Sequence, residues 1–205
     1  MEVRRQTVEL KDAQKVEIDI AFGAGNLFIG GSAEELLEAK YRCYVNSPDP
    51  KVSYRYSKEK GRLSVRQGNC AGLPFGAENW DLRFNSKVPI TMNIRCGAGE
   101  SLFRISELNI QKLNLKYGAG EIKVDLRHNW DHDVDVWVEG GVGSSKFKLP
   151  DEMKIEAVVS TGLGSTVVNG LDRHLGKYTS GDDKQNKLTL YVKGGIGEVK
   201  LLKEE

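Results

Sequence analysis

The sequence predicts an all-β protein: a right-handed β-solenoid-like stack of strands, each turning a corner at a Gly-x-Gly triplet, with an N-terminal β cap. Three observations predict this fold. The triplet recurs along the chain, apolar and polar residues alternate on both sides of it, and the alternation shifts by one residue as the chain passes through it.

The Gly-x-Gly triplet occurs six times. From the second to the fifth copy the spacing is 21, 23 and 21 residues, and the last gap is 33 residues. A regular period is typical of repeat folds, and the longer gap predicts one repeat with an insertion of about ten residues, at 172–186. The corner glycines are Gly23 and Gly25, Gly97 and Gly99, Gly118 and Gly120, Gly141 and Gly143, Gly162 and Gly164, and Gly195 and Gly197.

Apolar residues stand five and three positions before the first glycine of every triplet. Alternation with a period of two predicts a strand with one buried face. The residues five positions before are Ile18, Met92, Leu113, Val136, Ala157 and Leu190, and those three positions before are Ile20, Ile94, Leu115, Val138, Val159 and Val192.

The alternation changes parity at the triplet, because the residue six positions after its first glycine is again apolar. Such a change needs an extra residue in the pleat, as in a bulge or a corner, and glycine supplies the backbone angles. The middle residues are apolar too: Ala24, Ala98, Ala119, Val142, Leu163 and Ile196. This predicts them inside the core and favours the stack over its alternative, a two-sheet β-roll of stacked hairpins with exposed tips. The predicted right-handedness of the stack follows from the general preference for right-handed crossover connections.

The chain is predicted to be one domain, 1–205, with the cap at 32–85 and the main repeats at 86–205. In the cap, residues 37–45 predict one long strand, residues 52–65 a hairpin that turns at 58–61, and residues 68–79 a loop. The C-terminal strand has little chain after it, so its edge is predicted to be open. Either a second molecule or the insertion at 172–186 would cover that edge.

The charges are balanced. Thirty Lys and Arg oppose 29 Asp and Glu, so the net charge is +1. This excludes the basic surface typical of nucleic-acid or anionic-membrane binding, and no apolar run approaches the roughly 18 residues of a membrane span. We therefore expect no nucleic-acid partner and no direct membrane insertion by this stretch. Cys43, Cys70 and Cys96 have neither the number of a disulfide framework nor the spacing of a metal site.

Several segments carry a family resemblance. The segments AEELLEAKY (33–41), PKVSY (50–54) and GRLSVRQ (61–67) resemble the N-terminal part of the bacterial toast-rack family. KVPI (87–90) leading into CGAGE (96–100), and LNLKYGAGE (113–121), are similar to the β-repeats of related adhesin-type domains. The resemblance spans nearly the whole chain and implies the fold. It implies no chemistry, and it implies a location behind a membrane segment or signal peptide.

The densest polar cluster runs from Arg127 to Asp135 and contains His128 and His132. Such side chains can bind a divalent metal, but their place between strands predicts a solvated face without metal. No motif marks an activated nucleophile, and outward carboxylates alternate with lysines, so we predict no catalytic residue and no cofactor. The triplets precede strands rather than helices, which argues against phosphate loops.

Aromatic residues give the candidate binding patch. Trp137 lies between Val136 and Val138, both predicted to face inward, and is therefore predicted to face outward. With Trp130 and Tyr178 it could form a site for a protein or a glycan; the alternative is that these rings pack beneath the insertion.

These observations favour a non-enzymatic, cell-envelope-associated module for protein or surface interaction, either a scaffold or adhesin-like. One alternative is a self-assembling β-solenoid scaffold, and another is a carbohydrate-binding or carbohydrate-active solenoid. The resemblance predicts an extracytoplasmic or membrane-associated full-length protein. A cytoplasmic location is the alternative, because the N-terminus has no apolar stretch of the signal-peptide type.

Overall fold

The computed structural model describes residues 1–68, 78–181 and 183–203. These residues form strands, with one 3-10 turn at Ile105–Glu107 and no α-helix in the described ranges. The strands of the described residues are β1 (Glu2–Val8), β2 (Lys15–Ala33), β3 (Leu37–Cys43), β4 (Lys51–Ser57), β5 (Lys60–Arg66), β6 (Glu78–Asn85), β7 (Ile90–Arg104), β8 (Ile110–Asp125), β9 (Val134–Lys148), β10 (Lys154–Asn169), β11 (Asp172–His174), β12 (Lys177–Ser180) and β13 (Lys187–Leu202). The predicted all-β class is confirmed.

Six long strands, each containing one triplet, form the centre of the sheet in the order β2-β7-β8-β9-β13-β10. All five pairings between them are parallel and in register, so the triplets stand side by side. A roll of stacked hairpins would need antiparallel neighbours. The predicted stack is therefore confirmed, and its handedness stays a prediction.

Each long strand folds sharply at its triplet. In β7 the side chains of Cys96 and Ser101 share a hydrogen bond although they are five residues apart, which would separate them by roughly 16 Å along an extended strand. In β13 a Cβ built on Gly194 would lie 3.3 Å from Cγ2 of Val199, again across the triplet. Every long strand therefore has a first arm before the triplet and a second arm after it. Alternate residues of both arms point inward and form one continuous hydrophobic core.

The strands β1 and β3–β6 lie beside β2, at one end of the stack, and add further strands to the sheet on both arms. β5 pairs with residues 15–21 in the first arm of β2 and carries β4 beyond it. β6 pairs with residues 25–33 in the second arm and carries β3 and β1. The predicted hairpin is β4 and β5, and the predicted long strand is β3. Of the predicted loop at 68–79, residues 69–77 lie outside the described residues, and residues 78 and 79 belong to β6.

The prediction that the C-terminal strand forms an open edge is wrong, because β13 lies between β9 and β10. β13 suits an interior position, since five of its inward side chains are apolar and buried, whereas β10 places Thr161 and Thr166 beside its corner. The insertion forms the β11–β12 hairpin, and β12 pairs with residues 155–157 of β10. It thus covers part of an edge, as one of the two alternatives predicted. No described strand pairs with residues 158–169 of β10 on that side.

The predicted burial of the middle residues is also wrong. Five of them are exposed, and Ala24 is half-buried. Aligned across the sheet in the order of the strands, they form a row that we name the corner ridge: Ala24, Ala98, Ala119, Val142, Ile196 and Leu163. Val142, Ile196 and Leu163 are 51%, 52% and 72% exposed. The fold at the triplet is the reason, because the flanking residues occupy the inside of the corner and leave the middle residue on its convex side.

The second glycine of the triplet accounts for the parity change. It has φ between +127° and +136° in five of the six strands, a conformation that side chains with a Cβ rarely adopt. It also stacks on its neighbours. A Cβ on Gly120 would collide with the carbonyl oxygen of Gly99 in β7, and the same collision recurs from strand to strand. We name the aligned second glycines the glycine ladder; they are Gly25, Gly99, Gly120, Gly143, Gly197 and Gly164.

Candidate functional site

The outer face of the first arm carries a continuous row of side chains four positions before each triplet. Parallel pairing in register places one such residue on each of six adjacent strands. We name this row the outer ladder; from β2 to β10 it consists of Asp19, Asn93, Asn114, Trp137, Tyr191 and Val158.

The polar half of the outer ladder is joined by side-chain hydrogen bonds. The Asn93 amide donates to a carboxylate oxygen of Asp19 at 3.1 Å, and the Asn114 amide donates to the Asn93 side-chain oxygen at 2.8 Å. Each amide therefore has a fixed orientation and a half-buried position between its neighbours. The result is a strip of aligned polar groups at the spacing of adjacent strands, about 4.8 Å.

The aromatic half begins where the amides end. The Trp137 and Tyr191 rings stack with centroids 4.1 Å apart and planes inclined by 19°. Such stacking fixes both rings and contributes about 0.5–1.5 kcal/mol beyond their burial. Trp137 is nevertheless 47% exposed. The pair thus presents rigid aromatic surface to the outside.

An ion pair borders the aromatic rings. Lys116 Nζ lies 2.6 Å from Glu139 Oε2, two positions further along β8 and β9. The hydrogen bond from Lys116 and the charge of that lysine hold the pKa of Glu139 below its usual range. Glu139 is therefore a carboxylate at neutral pH, which a proton donor in catalysis cannot be.

The three aromatic residues of the predicted patch do not come together. Trp137 faces outward as predicted, but Trp130 is 4% exposed and its indole N–H donates to the Leu108 carbonyl. Tyr178 pairs with Ala157, a residue of the inward face, and its ring packs against the core. Tyr191 takes their place. The sequence could have identified it, because it stands at the same offset from its triplet as Trp137 does.

The polar cluster at 127–135 lies mainly in the connection between β8 and β9, and its side chains bond that connection to the rest of the fold. A ring nitrogen of His132 lies 2.8 Å from the Ile110 carbonyl oxygen, and the other lies 2.9 Å from Asp131. Asp133 accepts from the Lys187 backbone N–H, and His128 packs edge-on against Trp130. Within the described residues, no group of three or more His, Cys, Asp or Glu is placed to share a metal ion. That the cluster binds no metal stays a prediction.

The outer face of the second arm has a different character. An open concavity of about 490 Å³ lies beside Phe28, whose ring is flanked by the guanidinium groups of Arg83 at 4.9 Å and Arg104 at 5.5 Å. Lys123 and Glu121 pair at 3.0 Å along its border. Mixed and mutually paired charges of this kind favour a solvated face.

The two remaining surface features are the corner ridge and the unpaired part of β10. The ridge residues grow from alanine on β2, β7 and β8 to valine, isoleucine and leucine on β9, β13 and β10. Exposed apolar surface is thus concentrated on the strands that also carry Trp137 and Tyr191. Within the described ranges, no helix is long and apolar enough to cross a membrane.

Comparison with known proteins agrees with this fold. The family model for the N-terminal domain of toast_rack, DUF2154, matches residues 1–148, and its end coincides with the end of β9. The crystal structure of a putative cell adhesion protein from Clostridium sporogenes ATCC 15579 is similar over 99% of each chain, with 24% identity and a TM-score of 0.94. That likeness shows the fold.

Two further crystal structures are less similar. Putative adhesins from Bacteroides fragilis NCTC 9343 and Parabacteroides merdae ATCC 43184 have 12% and 13% identity, each over 98% of this chain and 96% of theirs. Their TM-scores of 0.35 and 0.30 are too low to carry an argument about this chain. No curated protein matches it.

Proposed function

This chain belongs to the toast-rack family, and from that premise we propose that it is a non-enzymatic module of the cell envelope that makes adhesin-like contacts with a surface. The contact is made through the outer ladder, centred on Trp137 and Tyr191. The Clostridium sporogenes structure is that of a putative cell adhesion protein, and a role in adhesion is proposed for this chain by analogy.

The stacked pair of exposed Trp137 and half-buried Tyr191 is the observation that carries this proposal. Large exposed aromatic side chains are enriched where proteins bind partners, because a rigid ring buries much apolar area at little cost in conformational entropy. Beside the pair, the ordered amides of Asn93 and Asn114 offer donors and acceptors in fixed positions. A flat strip with aromatic and amide halves suits an extended polymer better than a small molecule, which needs a concave site.

The electrostatics support a role without catalysis. Hydrolysis of a glycan uses one carboxylic acid whose pKa is raised, so that it can donate a proton. Among the described carboxyl groups, those with a shifted pKa (Asp125, Asp131 and Glu139) have it lowered, in each case first by a hydrogen bond from a neighbouring basic side chain. The outward carboxylates therefore act as partners of basic groups.

Co-sedimentation with purified peptidoglycan sacculi tests the contact. We expect the protein to sediment with the sacculi, and Trp137→Ala to weaken binding by about tenfold or more, as loss of a central aromatic contact does. Tyr44→Ala is the matched control, because Tyr44 is another exposed aromatic residue and lies outside the outer ladder. Absence of the wild-type protein from the pellet, or equal binding by the two variants, would contradict the proposal.

The envelope location has its own test. Cells fractionated into cytosol and envelope, and probed with an antibody to this protein, should contain it in the envelope fraction. Recovery in the cytosol alone would favour the cytoplasmic alternative.

Self-assembly is a second candidate function, and the unpaired part of β10 favours it. A strand edge without a neighbour exposes backbone N–H and C=O groups to any other chain. Surface contact uses the outward rings of Trp137 and Tyr191, whereas self-assembly uses the backbone edge of β10, so one chain can have both roles.

A further inference from the structure

The unpaired segment of β10 lacks the features that keep strand edges apart. Proteins usually protect an edge with charged side chains or proline. Residues 158–169, VVSTGLGSTVVN, contain neither. By contrast, the outward positions of the adjacent interior strands carry charges, for example Glu139 and Lys146 on β9 and Lys193 and Lys200 on β13. The other described edge strands, β1, β4 and β11, also carry charged side chains, so this stretch of β10 differs from them in having none.

The core is also incomplete at this edge. The inward-facing residues three positions before and six positions after the first glycine of the triplet are buried on the five other long strands. On β10 the equivalent residues, Val159 and Val168, are only half-buried although they pack against the core. A further strand beside β10, on both arms, would cover them.

We propose that a second copy of this chain provides that strand, by antiparallel pairing of residues 158–169 of the two molecules about a twofold axis. The axis runs through the corner and bisects the two arms. Rotation about it exchanges the arms and reverses the chain direction, so the first arm of one copy lies beside the second arm of the other. It also keeps the inner faces on the same side, so the two cores become continuous.

The register follows from the side-chain directions. Residues that face inward must lie opposite residues that also face inward. This places Val159 opposite Val168 of the second copy and Thr161 opposite Thr166 of the second copy. Val158 then lies opposite Asn169 of the second copy. The free segment begins after 157, where β12 stops pairing, and ends at Asn169, where β10 ends, so the symmetric pairing fits the space between these limits.

The corner ridge places apolar side chains at the centre of this interface. Leu163 lies at the axis beside Leu163 of the second copy, and Ile196 and Val142 follow outward on each side. Interfaces between identical chains have apolar centres. An isologous contact pairs the same β10 edge of each copy, so no such edge is left for a third copy. The assembly is therefore a closed dimer rather than a fibre.

Sedimentation velocity over a range of concentrations tests the dimer. The wild-type protein should show a monomer–dimer equilibrium, and Val167→Lys should raise the dimer dissociation constant by about tenfold or more, because it places a charge of each copy in the pairing segment. The variant should fold, since the position equivalent to Val167 holds Lys200, Lys146 and Lys123 on three other strands. Val45→Lys adds the same charge at an exposed site near β3, at the other end of the sheet, and should dimerise as the wild type does.

Oxidative cross-linking tests the position of the axis. Leu163→Cys should give a disulfide-linked dimer in yields above the wild-type level, and Val45→Cys should not. A wild-type protein that stays monomeric, a species larger than a dimer, equal dissociation constants for Val167→Lys and the wild type, or no additional cross-link at residue 163 would each overturn the proposal. Because Trp137 is unchanged in all of these variants, binding to sacculi can be measured on the same samples and its failure distinguished from failure to dimerise.

Discussion

Replacing Gly120 by alanine should destabilise the protein more than any ordinary exposed substitution. Gly120 has φ +127°, and its Cβ would collide with the Gly99 carbonyl oxygen. The backbone strain costs about 1–3 kcal/mol. To relieve the collision, β7 and β8 must separate locally, which breaks about two to three backbone hydrogen bonds that contribute about 1 kcal/mol each. The expected loss is therefore about 3–6 kcal/mol, a large part of the stability of a typical domain.

Gly176→Ala is the matched control, because Gly176 has φ +79° but open space where its Cβ would lie. It carries a strain of about 1–2 kcal/mol without a collision. The difference between the two variants therefore measures the contribution of stacking in the glycine ladder.

Thermal and urea unfolding followed by far-UV circular dichroism would measure both variants. A loss of 3 kcal/mol lowers Tm by about 6–12 °C for a chain of this size. If Gly120→Ala lowered Tm no more than Gly176→Ala does, the ladder would add nothing beyond backbone strain, and the account of the close strand approach would be refuted.

Two further predictions concern spectroscopic and pH-dependent behaviour. Iodide should quench the fluorescence of one exposed tryptophan, and Trp137→Phe should abolish the quenchable component, because Trp80 and Trp130 are buried; retained quenching in that variant would contradict the placement of Trp137. Burial raises the pKa of Cys96 to about 11, against a smaller opposite effect of the Ser101 hydrogen bond, and its ordinary value is 9.0. Between these values the unfolded chain binds fewer protons than the folded one, so the free energy of unfolding should fall from pH 9 towards pH 11, by at most about 1.4 kcal/mol per pH unit. Cys96→Ala should reduce this slope in urea titrations, and an unchanged slope would place the thiol in a solvated site.

The sequence contains enough to predict the strands and their mutual register. Residues such as Ile18 and Met92 stand at the same offset from their triplets, and the structure pairs them directly. The order of the strands could not be predicted in the same way. All six long strands have the same pattern, so it does not distinguish β10 from β13 as the neighbour of β9.

The errors about burial have physical causes. The apolar character of Leu163 and Ile196 predicts that they face inward, but a strand folded at a glycine corner turns its middle residue outward, and apolar character does not prevent this. For Trp130 the sequence leaves two alternatives, a binding patch with Trp137 and Tyr178 or packing beneath the insertion, and the structure buries it. Its burial depends on the distant Leu108 carbonyl, which accepts its N–H, and no local pattern contains that contact.

The position of β13 between β9 and β10 has a consequence for synthesis on the ribosome. β10 emerges first, yet its native parallel partner is β13, which follows it along the chain. Until β13 emerges, the edge of β9 is vacant and β10 carries the same triplet in a compatible register. A nascent chain can therefore place β10 against β9, and the later strand must displace it. In a chain that has paired β10 with β9, folding is completed by a strand exchange, which is slower than simple addition of strands in the order of translation.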